Sequence, residues 1–331
     1  MMLVSSEIII RKSAVVTDTA SNGGRMSKHA VTSGANRNFL RDWTLAEAQN
    51  GGTMYRKFFL HAANADGLTY SQAGLHLLAP SAADERVALF AGMATDTQAD
   101  LSVSPTTYGA GTLQAAVAAG ATTFAVALKD TDLLYFHDGD TVCLYQAGAA
   151  TDGSEDVYEY HDNITVSHAA GVDTITLADG DMAANAYAAG DGCASVLQCG
   201  DIAPTVAMTA MTSAAGIVDV SGITPDAIAG IDHTVTITFT SATAFSAVSD
   251  VLGALGAGTI GNAFAPTNAD FTRPYFTIAA SVWSGTFAAG DIVTLGQTAA
   301  AAAFWMRSVL PAGAAPFSGD AFGLRAIGGS N

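Results

Sequence analysis

Phe271-Thr-Arg-Pro-Tyr-Phe-Thr-Ile-Ala-Ala-Ser-Val-Trp-Ser-Gly-Thr-Phe287 is the run on which the fold class turns. It continues through Gly290-Asp-Ile-Val-Thr-Leu295 and Ala303-Phe-Trp-Met-Arg-Ser-Val-Leu-Pro-Ala-Gly-Ala314 to Ala321-Phe-Gly-Leu-Arg325. Short runs of aromatic and β-branched residues alternate with Gly, Pro and Ser at the spacing of an all-β sandwich. Just upstream, His233-Thr-Val-Thr-Ile-Thr-Phe-Thr240 alternates Thr with apolar residues without a break. That period of two predicts a strand with one buried and one wet face. Val251 to Ile260 is Gly-spaced and reads as a bulged strand or a loose connector. It is no phosphate loop, because the Lys-Ser/Thr ending and a following helix are missing.

Working back toward the N-terminus, Met54–His61, Ala73–Leu78 and Arg86–Ala91 read as strands, with the Asn64–Gly67 turn between the first two. A new unit begins near Pro105. Strand patterns recur at Thr122–Leu128, Val142–Tyr145, Val157–His161, Ile164–Val166, Val172–Leu177 and Ala194–Leu197. The expected layout is a β-sandwich made of 51–109 and 201–331, interrupted by a small inserted β-barrel or sandwich at 110–200. Residues 1–50 supply the strand Ser6–Lys12, an extended basic arm over about Ser13–Asn38, and a short helix or turn anchored by Trp43. The arm carries too little apolar surface to offset its ordering entropy, so it is expected to order only against a neighbouring subunit, through Arg25, Lys28 or Arg37.

Composition narrows the function. Half of the 331 residues are hydrophobic, yet only 13% are charged, about half the usual share. A surface so poor in charge is covered by small uncharged residues or hidden against other subunits. The formal charge of −17 excludes a general nucleic-acid footprint. Eight of the thirteen Lys and Arg precede residue 60, and between Arg86 and Arg273 the only cation is Lys129. A mildly basic start and an acidic middle point to head-to-tail contacts, or to an acidic stretch that keeps an Ala-rich chain soluble. No secretion signal is legible at the start, and the apolar run Thr298–Met306 is too short to span a bilayer.

No catalytic, cofactor-binding or metal-ligating residue is expected. Cys143, Cys193 and Cys199 lack disulfide-scaffold or zinc spacing and read as buried small hydrophobes. His61 and His76 lie within strands and read as core histidines. Asp130, Asp132, Asp138, Asp140, Asp179 and Asp181 offer the hard oxygens that calcium uses, without EF-hand spacing, and Asp-Gly-Asp is also ordinary turn chemistry. His137 beside Asp138 and His161 beside Asp162 make poor acid–base pairs, since adjacent strand residues face opposite ways.

Several of these runs resemble virion structural proteins of tailed bacteriophages. They are Phe264–Ile278, Trp283–Phe287, Ala289–Asp291, Phe304–Arg307 with Val309–Ala314, Tyr55–His61, and Phe136–Val142 for the inserted unit. The resemblance implies a tail or tail-tip component that packs against copies of itself in a ring or tube and against other virion proteins, assembled in the host cytoplasm. A capsid decoration protein and a carbohydrate- or receptor-binding tail protein are the alternatives. A depolymerase would add paired carboxylates in a cleft and a repeated β-helix period, and neither is visible.

Overall fold

The computed structural model describes residues 2–146, 157–317 and 322–330. It is nearly all β, built from antiparallel sheets, with one short α-helix at Leu45–Asn50 capped by Thr44. The Gly52–Ala62 strand is the centre of a five-stranded sheet. Ile8–Val15 pairs on one side of it and Ala301–Leu310 on the other, with Gly23–Ala30 and Arg86–Ala91 at the edges. The residue pattern explains its central place. Phe58, Leu60 and Ala62 face one way, while Lys57, Phe59 and His61 face the other, and all six are buried.

On the first of those faces lies a three-stranded sheet of Leu197–Ile202, Tyr70–Leu77 and Leu324–Ser330. The two sheets share a core of Leu60, Leu75, Leu89, Leu197, Phe304 and Met306, so this part is a β-sandwich. The strands from Ala110–Leu113 to Gly192–Ser195 form a seven-stranded sheet ordered from Thr165–Ala169 at one edge to Tyr158–His161 at the other. Its own core gathers Phe124, Val126, Phe136, Leu144 and Ile175. Cys143, Tyr145 and Ala194 point instead into the sandwich core.

Two expectations are changed. The strands after Asp201 do not all join the sandwich. Thr205–Thr212, Ile292–Thr298, His233–Phe239, Ala244–Ser249 and Gly253–Thr259 form a second five-stranded sheet with its own core, and only Ala301–Leu310 and Leu324–Ser330 return to the sandwich sheets. Alternation alone cannot distinguish one sheet from two. The partition follows from Phe239, Phe245, Phe264, Trp283 and Phe287, which pack on one another. Phe239 and Phe287 stack with centroids 4.1 Å apart.

The second change concerns the arm. Gly23–Ala30 is a strand of its own chain, paired with Ile8–Val15 through two register shifts. Its order comes from polar anchoring more than from apolar burial. Arg11 Nη1 donates to Lys28 O at 2.7 Å, Lys57 Nζ to Gly24 O at 2.8 Å, and the buried Asn22 amide to Tyr55 O at 2.9 Å. Gly23, at φ 114°, lies under the Trp305 ring, where a Cβ would come within 2.8 Å of ring carbon and of Asp96 O. A hydrophobicity argument misses such contacts because the donors sit on distant strands.

Candidate functional site

Most of the residues singled out by sequence have a structural partner, and Asp179 lies in the turn after Val172–Thr176. His61 is fully buried: Arg11 Nε donates to its Nδ1 at 2.7 Å, and its Nε2 donates to Ala227 O at 2.8 Å. That arrangement suits the neutral ring, and burial above all pushes its pKa down to about 4. His76 is also buried and shifted to about 4. It bridges Leu77 O and the Tyr160 hydroxyl, joining the three-stranded sheet to the seven-stranded one. Arg325 covers Tyr158 in the same junction, its guanidinium 3.7 Å from the ring centroid.

The adjacent His–Asp pairs are not used as pairs. His137 contacts Asp140, and His161 contacts Asp181 at 2.8 Å. Asp138 instead accepts from Val166 N, and Asp162 from the Thr141 hydroxyl. Asp130 and Asp132 meet Arg86, and Asp130 also accepts from Asp132 N and the Tyr135 hydroxyl. Among the described residues, no group of three or more His, Cys, Asp or Glu side chains is placed to hold a metal ion. The cysteines are free thiols, and burial raises the pKa of Cys143 and Cys199 to about 12 and that of Cys193 well above its usual value.

The N-terminal cations serve the chain itself. Lys57 Nζ is fully buried, 2.5 Å from Asp96 Oδ1 but off the hydrogen-bond direction, and it donates to Gly24 O and to Asp96 O. Trp305 Nε1 donates to Asp96 Oδ2 at 2.9 Å and completes the set. Arg37 meets Asp42, Arg41 meets Asp18 and Glu47, and Arg56 meets Asp18. These arginines and Lys12 line a cavity of about 110 Å³, and each of the arginines already has a carboxylate partner in Asp18, Asp42 or Glu47. Arg25 pairs with Asp270, and the Arg11 guanidinium lies over Phe271, so the second five-stranded unit docks on this side of the central sheet.

That second unit holds the arrangement which sequence reading did not single out. Between Thr205 and Thr298 the only charged residues are Asp219, Asp226, Asp232, Asp250, Asp270, Asp291 and Arg273. They are occupied at turns and at the docking side. Asp250 accepts from Thr234 N, Asp291 from Ser213 and Ala288 N, and Asp226 pairs with Arg273. The sheet's inner face buries Val235, Ile237, Phe239, Val293 and Leu295. Its outer face carries no charge. One row crosses all five strands as Ala210, Thr294, Thr236, Val248 and Ala254, and the next as Thr212, Ile292, Thr238, Ser246 and Ala257. Val248 and Ile292 are 47% and 36% exposed.

The edges follow the same rule. Gly23–Ala30, Arg86–Ala91, Thr165–Ala169, Tyr158–His161, Leu197–Ile202 and Leu324–Ser330 border the other three large sheets, and each carries a charged or titratable side chain. Thr205–Thr212 and Gly253–Thr259 carry none. Charges on edge strands discourage sheet-to-sheet association. The sequence signal that could have found this sheet was the charge gap combined with the alternating threonines. Chemically, the surface offers small hydroxyls, methyl groups and unpaired backbone, suited to close packing against another uncharged surface.

Among the described residues no helix is long and apolar enough to cross a membrane. No family model, no curated protein and no solved structure matches the chain.

Proposed function

We propose that the chain is a structural subunit that works by packing, and that the uncharged sheet of residues 205–298 is its principal contact surface. The observation that supports this reading is the contrast in charge. A protein of formal charge −17 presents one sheet whose outer face and both edges are free of charge. Like-charged copies repel over most of their surface, and this is where they can approach without that penalty. Together with the resemblance of its aromatic runs to tailed-phage virion proteins, this favours a virion component of the tail or tail tip, without catalytic activity or cofactor. Gold-labelled antibody against the chain on intact phage particles tests the reading, with label at the tail or its tip as the expected result. Label confined to the head would move the protein to the capsid surface. Particles that carry no label would remove the virion reading.

A further inference from the structure

We infer that Gly253–Thr259 is a self-pairing edge: two copies join antiparallel along this strand and continue the five-stranded sheet from one chain into the next. The inference rests on the packing role proposed above and names the partner at that surface, a second copy of this chain.

Three observations carry it. First, Gly253–Thr259 pairs only with Ala244–Ser249, so among the described residues its other side has no strand neighbour. Its residues are exposed apart from Leu255 and Gly258. Second, two of the usual devices that blunt an edge are missing, because Gly-Ala-Leu-Gly-Ala-Gly-Thr holds neither charge nor proline, and its one irregularity is the register shift opposite Ala247 and Val248. Gly253 and Gly256 have φ of 75° and 114° and open space where a Cβ would stand, so another backbone can come close. Val248 and Val251, 47% and 41% exposed, flank the strand and add apolar surface beside the seam.

Third, the occupant follows from charge and direction. A partner surface carrying cations would find no carboxylate on this strand, and the chain's acidic regions repel a second copy everywhere except at uncharged surfaces. A twofold axis normal to the sheet sets Gly253–Thr259 antiparallel to itself, as in every other strand pair of the large sheets. The sheet has five alternating strands, so head-to-tail pairing of its two edges in a common direction would instead be parallel, which is the slightly weaker ladder.

Sedimentation of the purified full chain over a concentration series tests this, with hydrogen exchange of residues 253–259 as a direct readout. The expected result is a reversible dimer whose formation protects these amides. The doubly substituted Ala254→Glu/Ala257→Glu chain should sediment at half the dimer mass with unchanged near-ultraviolet circular dichroism. Ala254→Lys/Ala257→Lys should do the same, and mixing the two should restore the dimer. Thr236→Lys, at the middle of the outer face, should leave the dimer intact. A wild-type chain that stays monomeric, or a dimer that survives both double substitutions, would overturn the inference. Loss of the dimer on Thr236→Lys alone would also overturn it, while leaving the packing role to the sheet face. If a double variant loses its dichroism, exchange protection of 253–259 in the wild type decides by itself.

Discussion

The two five-stranded sheets of this protein treat charge in opposite ways. The sheet centred on Gly52–Ala62 buries Lys57, Arg56, Arg11 and His61 and gives each a partner, and both of its edges carry cations. The sheet centred on His233–Phe239 buries an aromatic cluster and shows the outside no charge. The first is held together by interactions that depend on specific partners, since a buried charge without its counter-ion is strongly unfavourable. The second is held by apolar packing, which is non-directional and leaves its outer surface free for other contacts. The difference teaches where each sheet is sensitive.

The largest effects are expected at the buried ion pair and in the aromatic cluster. Lys57→Ala leaves Asp96 and two backbone carbonyls without their cation and should cost about 3–5 kcal/mol, measured by urea denaturation. Asp96→Asn in a Lys57→Met background should recover part of that loss. If it recovers nothing, the strand position of Lys57 matters more than its charge. In the second sheet the matching test is Phe239→Ala, which opens a cavity against Phe287, Trp283 and Phe245. It should also cost about 3–5 kcal/mol, and Phe239→Leu, which keeps an apolar side chain there, should recover much of that loss, whereas Lys57→Met, which keeps the apolar stem, still leaves Asp96 without its cation. A Lys57→Met chain as stable as the Phe239→Leu chain would dissolve the contrast between the sheets.

The pH response sharpens the comparison. His61 and His76 titrate near 4 in the folded protein because burial disfavours the charged ring, against about 6.5 in the unfolded chain. Between those values the unfolded state binds more protons, so stability present above about pH 6.5 is lost as pH falls toward 4. Protonated His61 would also set an N–H against the Arg11 guanidinium. His61→Gln and His76→Gln should each flatten the fall in urea midpoint between pH 7 and 5. An unchanged slope in both variants would assign the fall to other groups.

The smallest effect on stability is expected from Thr236→Val on the outer face, within about 0.5 kcal/mol, as for most surface substitutions. A much larger loss would mean that the face is already covered within the chain.

The all-β class was legible from the period of two in His233–Phe239, and the segment after Trp43 was legible only as a short helix or turn, which the structure resolves as the helix Leu45–Asn50. His61 and His76 were readable as core residues from their place within apolar strands, and Cys143 and Cys193 as buried thiols from the missing disulfide and zinc spacing, whereas Cys199 is only partly buried. The arm was misread because Gly23–Ala30 is ordered by donors from Arg11 and Lys57, which are near in space and distant in sequence.

Sequence alone therefore determined the all-β class, the strands with a clear apolar period such as Gly52–Ala62 and His233–Phe239, and that charge is scarce after Asp201. Those properties follow from local alternation and composition, which require no knowledge of neighbours. Tertiary structure alone decided that Thr205–Thr298 forms its own sheet, that Ala301–Leu310 returns to Gly52–Ala62, and that two edges are bare of charge. The physical reason is that alternation places a side chain on a face without naming the sheet. Pairing partners are chosen by which aromatic and polar side chains find one another once the chain has closed on itself.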